Sequence, residues 1–242
     1  MKHSDYRPNI LGLDWAPGNL ILVGSRAWGG RLQYVLGNCI VNGTKDEIPV
    51  AIFIPGRDRG ELKKLLLRMQ VGDSVYESGQ ITPKDLIDYP LYIDDTAPMT
   101  IAYLTGQIFR YVEEKNVGMV VIDLLQNIDG GIIDESTREG ELNGILCILK
   151  ALAETLGIVI VVISQLSRII VKEHRMPKVR DLLDVTEAEE HCDQIILIHP
   201  LDPFVKEAMM ILPFGSPNQY GRSEEQILSV SMDCNKHYFR KI

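Results

Sequence analysis

Six short runs of apolar, mostly β-branched residues recur along the chain, and they are continuous rather than alternating. They read LILVG (20–24), VAIFI (50–54), LYI (91–93), MVVID (119–123), IVIVVIS (158–164) and QIILIH (194–199). A strand with one wet face alternates apolar and polar residues. A continuous run suits a strand buried on both faces, as in a parallel sheet covered by helices on each side. Helical patterns lie between several of the runs. The clearest spans Glu141 to Leu156, where Leu142, Ile145, Leu146, Leu149, Leu152, Ala153 and Leu156 keep the spacing of one helix face and Gly157 supplies a stop. Residues 60–70 and 100–115 are two further candidates. The alternation predicts a doubly wound α/β fold, with a mostly parallel central sheet flanked by helices. From about residue 208 the pattern changes, and AMMIL, QILSVSM and HYFRKI predict antiparallel strands joined by short turns at the C-terminal end. The loop 127–140, NIDGGIIDESTREG, is long and polar and is expected to be mobile.

At 242 residues the chain can bury a sizeable core in a single α/β domain, so 1–242 reads as one domain. A net charge of −8 disfavours bulk binding of nucleic acid but leaves room for a local basic patch. Cys39, Cys147, Cys192 and Cys234 include no C-x-x-C pair, and His191 beside Cys192 stands alone. That spacing argues against a disulfide framework or a zinc site and for buried, reduced thiols in a cytoplasmic protein. The start, MKHSDYRPN, has no apolar signal-peptide core, and the longest apolar run, IVIVVI, is far too short to span a bilayer. No membrane role is expected.

The first apolar run ends in a glycine-rich turn, VGSRAWGGRL, with a helix-like stretch behind it. That is the layout of a phosphate loop, G-x-x-x-x-G-K-[ST], in which backbone N–H groups cradle phosphates, the lysine reaches the outer phosphates and the hydroxyl binds magnesium. Here Ser25 takes the first glycine position, Gly30 the second, Arg31 the lysine position and Leu32 the hydroxyl position. Arg26 and Gly29 complete the candidate nucleotide-binding stretch. MVVID ends in Asp123, a carboxylate placed to orient magnesium and its waters; a strand-end acid capping a turn is the bland alternative. VVISQLSR ends the next strand in Ser164-Gln165, where an amide could sense an outer phosphate or simply close a loop.

Taken in order, these stretches resemble the C-terminal motor domain of the DnaB-type replicative DNA helicases, a family of RecA-fold ATPases. APGNLILVGSRAWGGRL is similar to the family's strand and phosphate loop, and VAIFIPGRDRGEL to its second strand. PLYIDDT is similar to its third strand, MVVIDLLQNI to its acid-bearing strand and LKALAETLGIVIVVISQLSR to its sensor helix and strand. RDLLDVTEAEEHCDQIILI resembles the segment that follows. The resemblance covers roughly residues 12 to 240 and implies a RecA-like fold, ATP or ADP as ligand, an oligomer of RecA-like subunits (homo- or hetero-) and single-stranded DNA as partner. The family's N-terminal helical domain, which binds primase and helps build the ring, is expected to be absent.

The departures fall on the chemistry. Arg31 keeps the lysine's charge as a bulky planar fork, and Leu32 cannot ligate a metal. The resemblance places the catalytic glutamate at Gly56, which carries no base. A positioned general base contributes about 10²–10⁴ in rate, or roughly 3–5 kcal/mol. Asp123 alone is too little to hold magnesium tightly, which puts the metal itself in question. The family's Lys-x-Arg finger falls near Leu212-Pro213-Phe214-Gly215, with Arg222 as a nearby substitute. Asp123 and Gln165 then stand as remnants of a catalytic site.

A basic stretch, RIIVKEHRMPKVR, carries Arg168, Lys172, Arg175, Lys178 and Arg180 against one acid, Glu173. It is either a single-strand DNA contact or a solvated loop. The acidic run 181–193 follows, with leucine and threonine at the family's arginine and glycine positions (Leu183 and Thr186), which weakens the DNA reading. Three functions therefore compete. One is a helicase-like domain in DNA replication or on a mobile element, impaired in hydrolysis. The second is an active helicase using a substitute base such as Asp58. The third is a non-catalytic interaction module.

Overall fold

The computed structural model describes residues 15–26, 48–71, 90–131, 137–173, 175–202, 205–215, 228–231 and 240–241. Candidate phosphate-loop residues Gly29, Gly30, Arg31 and Leu32 lie outside the described residues, as do Cys39, Arg222 and Cys234.

Five parallel strands form the centre: β1 (Leu20–Ser25), β2 (Val50–Phe53), β3 (Leu91–Asp94), β5 (Met119–Asp123) and β7 (Val159–Gln165). They lie in the order β1-β7-β5-β2-β3. β8 (Gln194–Asp202) joins parallel to the other side of β1, and β9 (Val205–Gly215) turns back antiparallel on β8. β10 (Leu228–Ser231) and β11 (Arg240–Lys241) continue antiparallel, so the C-terminal strands extend the main nine-stranded sheet rather than forming a separate layer. A small parallel pair, β4 (Met99–Thr100) with β6 (Ile128–Asp129), lies apart.

The continuous apolar runs are explained by burial on both faces. Alternate residues of each strand feed two cores. Leu20, Leu22, Phe53, Val120, Ile122 and Ile160 pack beneath α2 (Ile101–Lys115) and α3 (Arg138–Leu156). Ile21, Val23, Ile52, Val121, Val161 and Ile163 pack with Trp15 and with Leu62 and Leu66 of α1 (Arg59–Val71). Both sets therefore read apolar in sequence although they point opposite ways.

Helix α3 begins at Arg138, three residues before the expected start, because the Thr137 side chain accepts the Gly140 amide as an N-cap. Gly157 ends it in the left-handed region at φ 62°, as its type predicts. The polar stretch 127–140 carries regular structure in its described part, and its residues 132–136, on which the expected mobility falls, lie outside the described residues. Leu125–Asn127 form a 3-10 turn, Ile128–Asp129 pair as β6, and Glu141 accepts the Gly130 amide at 2.6 Å. Of the two described cysteines, Cys192 is buried as expected, and loss of solvent pushes its thiol pKa up; Cys147 lies on the exposed face of α3.

Candidate functional site at the carboxyl edge of the sheet

In a parallel sheet with covered faces, ligands bind beyond the carboxyl ends of the strands. The sequence-predicted site residues that the structure describes gather there. Ser25 ends β1 directly opposite Gln165 at the end of β7, and Asp123 ends β5 opposite Ile163 of the same strand. Ser25 is fully buried, and its hydroxyl donates to the Arg26 carbonyl at 3.0 Å. Arg26 reaches across the sheet edge and donates to the Leu166 carbonyl at 2.9 Å, fixing the exit of β1 to the exit of β7.

The end of β2 is where the sequence departs most from the pattern it resembles, and the backbone explains how. Ile54-Pro55-Gly56-Arg57 closes with the Arg57 amide on the Ile54 carbonyl at 3.0 Å, and Gly56 sits at φ 77°. Proline at the second position and a positive-φ glycine at the third make a type II turn. Gly56 is therefore held by its conformation as well as lacking a base. A Cβ there would meet nothing within 4 Å, so the obstacle to a side chain is the backbone, not space. Gly56→Ala is expected to destabilise the chain by about 1 kcal/mol or somewhat more through that strain, measured by urea unfolding.

The turn delivers Arg57 to the acid. Its Nη1 lies 3.1 Å from Asp123 Oδ2; the carboxylate is fully buried and the arginine side chain 46% exposed. Asp58 is occupied differently: its Oδ1 accepts the Glu61 amide at 2.9 Å, the N-cap contact of α1. Asn127 donates to the Pro55 carbonyl at 3.2 Å and ties the turn to the 3-10 segment after β5.

Gln126 joins the remaining parts. Its Nε2 donates to Ser164 Oγ and to the Leu183 carbonyl, each at 2.9 Å, and its Oε1 accepts the Gln165 amide at 3.2 Å. One side chain thus links the exits of β5 and β7 to the chain returning from the basic segment. Gln165 itself is half-buried at the end of β7, and its carbonyl accepts the Leu183 amide at 2.8 Å. Neither Gln126 nor Arg57 was singled out from sequence. The Pro-Gly pair before Arg57 was a readable turn signal.

The basic segment is an excursion closed at its neck. The Ser167 amide bonds the Asp181 carbonyl at 2.7 Å, and Leu166 bridges Leu182 antiparallel. Arg168, Lys172, Lys178 and Arg180 are exposed on it. Arg175 is not available in the same way. It is bidentate to the buried Asp181 at 2.6 and 2.7 Å and reaches Glu173 at 2.5 Å. These bonds push its pKa further up and hold the Asp181 carboxyl below the usual range.

Two features disfavour a divalent ion: Asp123 faces a guanidinium, and the resemblance puts Leu32, which lies outside the described residues, at the hydroxyl position. No helix among the described residues is long and apolar enough to cross a membrane.

Residues 10–210 match the DnaB-like helicase C terminal domain. Replicative DNA helicase DnaB of Geobacillus stearothermophilus is 27% identical over 203 residues, covering 78% of this chain and 45% of the relative. Replicative DNA helicase DnaC of Bacillus subtilis (strain 168) is 26% identical over 202 residues, covering 78% of this chain and 44% of the relative. The chain thus spans less than half the length of these curated relatives. Among solved structures, one ATPase domain superposes with a TM-score of 0.75 at 19% identity, covering 94% of this chain and 86% of that one. A DnaB-like replicative helicase studied with primase superposes with a TM-score of 0.73 at 19% identity, covering 93% of this chain and 57% of that one. These likenesses agree with the parallel strand order in making the fold RecA-like. The match over residues 10–210 of 242 settles the family: the chain belongs to the DnaB-like helicase C-terminal domains.

Proposed function

We propose that this chain is a helicase-like RecA-fold domain that binds ATP or ADP at the carboxyl edge of its sheet without productive turnover. It acts in DNA replication or on a mobile element, beside other RecA-like subunits of the same or another chain. The observation that carries this reading is the turn after β2, where a positive-φ glycine stands in place of a base and the next residue, Arg57, pairs with Asp123. Hydrolysis needs a group to take the water's proton, and the nearest alternative acid, Asp58, is engaged as a helix cap. Arg26, Gly29, Gly30 and Arg31 supply positive charge and backbone N–H groups for phosphates, and Asp123 and Gln165 complete the rim. Single-stranded DNA, where it is bound, meets the exposed Arg168, Lys172, Lys178 and Arg180 through phosphate contacts, so its affinity falls steeply with salt.

Phosphate release from ATP at high protein concentration, with and without single-stranded DNA, tests the reading. No turnover above background is expected, and turnover abolished by Asp123→Asn would overturn it. ATP is expected to raise the melting temperature, since a ligand of the native state stabilises it. A melting temperature unmoved up to millimolar ATP would remove the nucleotide site and leave an interaction module.

A further inference from the structure

We propose that Arg57 is a built-in cation at Asp123: its guanidinium takes the place at this carboxylate that a divalent ion takes in a metal-dependent phosphate site, so nucleotide is bound here without magnesium. The second half rests on the nucleotide-binding reading above; the first does not.

Asp123 is fully buried at the end of a central strand. A buried carboxylate must be paired or lose its charge. Among the described residues, the Arg57 guanidinium forms an ion pair with it at 3.1 Å. An arginine stays protonated at any working pH, so the positive charge at this place is permanent and needs no ion from solution. Two features fix it there. The type II turn sets the direction of residue 57, and Asn127 holds the turn to the segment that follows Asp123. The guanidinium is not sealed in the core, because Arg57 is 46% exposed and lines a small cleft with Ile54, Asp58, Glu61, Leu62 and Leu65. The cleft brings Asp58 and Glu61 near, so the role assigned to Arg57 is that of counter-ion to Asp123 rather than of a primary phosphate clamp.

The family pattern offers an independent consistency. A metal-dependent site needs an acid, a ligating hydroxyl and room for the ion. This chain has leucine at the hydroxyl position and a cation already on the acid. Both changes remove the same ion, as expected if the site had been rebuilt to do without it.

The test has one arm without nucleotide and one with it. In the first, melting temperatures of the full chain and of Arg57→Ala are followed as magnesium chloride rises to millimolar levels, against sodium chloride at matched ionic strength. The wild-type chain is expected to be indifferent to magnesium. Arg57→Ala is expected to melt lower and to be raised by magnesium weakly, only at the millimolar end because a single carboxylate is left to hold the ion, and Arg57→Lys to stay indifferent. Equal stabilisation of wild type and variant, or none of the variant, overturns the cation assignment. In the second arm, calorimetric titration with ATP is run in magnesium and in EDTA. Wild-type affinity is expected to agree within about twofold between the buffers, while Arg57→Ala loses about tenfold in EDTA and recovers with magnesium. A wild-type chain that binds ATP only with magnesium overturns metal independence and leaves nucleotide binding standing. No binding in either buffer overturns the nucleotide half together with the proposed function, and the nucleotide-free melts then decide the cation half.

Discussion

Replacing Phe53 with alanine is expected to lower the unfolding free energy by about 3–5 kcal/mol, the range for emptying a buried aromatic site. Phe53 is fully buried in β2, a strand hydrogen-bonded on both sides, so the backbone cannot collapse into the space left behind. Its ring lies 6.0 Å from that of Tyr111 on α2, and Tyr111 in turn stacks on Tyr92 of β3 at 5.6 Å. Truncation therefore loosens both the helix on the sheet and the edge strand beside it. Urea unfolding followed by circular dichroism measures the change as a lower midpoint with an unchanged slope. A loss under about 1 kcal/mol would mean that α2 does not pack on β2 as described. Because Phe53 stands just before the Ile54–Arg57 turn, the variant is also expected to weaken the proposed ATP binding where Leu66→Ala, on the other face, does so less.

Removing Asp181 is expected to cost about 2–4 kcal/mol, because it leaves the Arg175 guanidinium and the Lys178 amide without their shared acceptor. The sign of its pH dependence follows from the depressed folded pKa. The Arg175 hydrogen bonds are the main cause, opposed by burial and helped by the Lys178 amide. A carboxyl held below its ordinary value of 3.8 contributes stability that is fully present above that value and lost as pH falls through the folded value. Wild type is therefore expected to be flat in this contribution from about pH 7 to about pH 5 and to lose it below about pH 4. Asp181→Asn is expected to be weaker at neutral pH and flatter in acid. Urea midpoints across that range measure the difference. Hydrogen exchange at the Ser167 and Leu183 amides, which close the neck of the basic segment, is expected to speed up in the same variant. Unchanged exchange there would show that Arg175 is not what holds the segment shut.

The layered fold was legible because burial on both faces leaves a one-dimensional trace. Each of the six apolar runs became a strand of the main sheet. The helix ends were legible only in part. Gly157 stopped α3 as its type predicts, but the start moved to Arg138, because Thr137 caps a turn whose residues are too polar to show an apolar period. The C-terminal strands were visible as strands and not as members of the main sheet, since they join it only through β8, whose parallel partner β1 lies far away in the chain.

At the site, the order of the motifs told which strand ends meet, and the structure brings Ser25, Asp123 and Gln165 to one edge. What sequence could not weigh is competition among polar groups for the same partners. Asp58 looked like a substitute base and is engaged by the Glu61 amide. Arg175 looked like one of five equal cations and is held by Asp181. Gln126 was not singled out at all and ties three segments together.

The sequence by itself determined the sheet, its two buried faces and the family, because apolar periodicity and motif order are properties of the chain taken in line. Only the tertiary structure decided the chemistry of the rim. A hydrogen bond or an ion pair joins groups by distance, and Arg57 and Asp123, 3.1 Å apart across two strand ends, are separated in the chain by α1, β3, β4 and α2. The glycine at position 56 could be read as a letter; the cation that stands beside it could only be seen once the turn had closed.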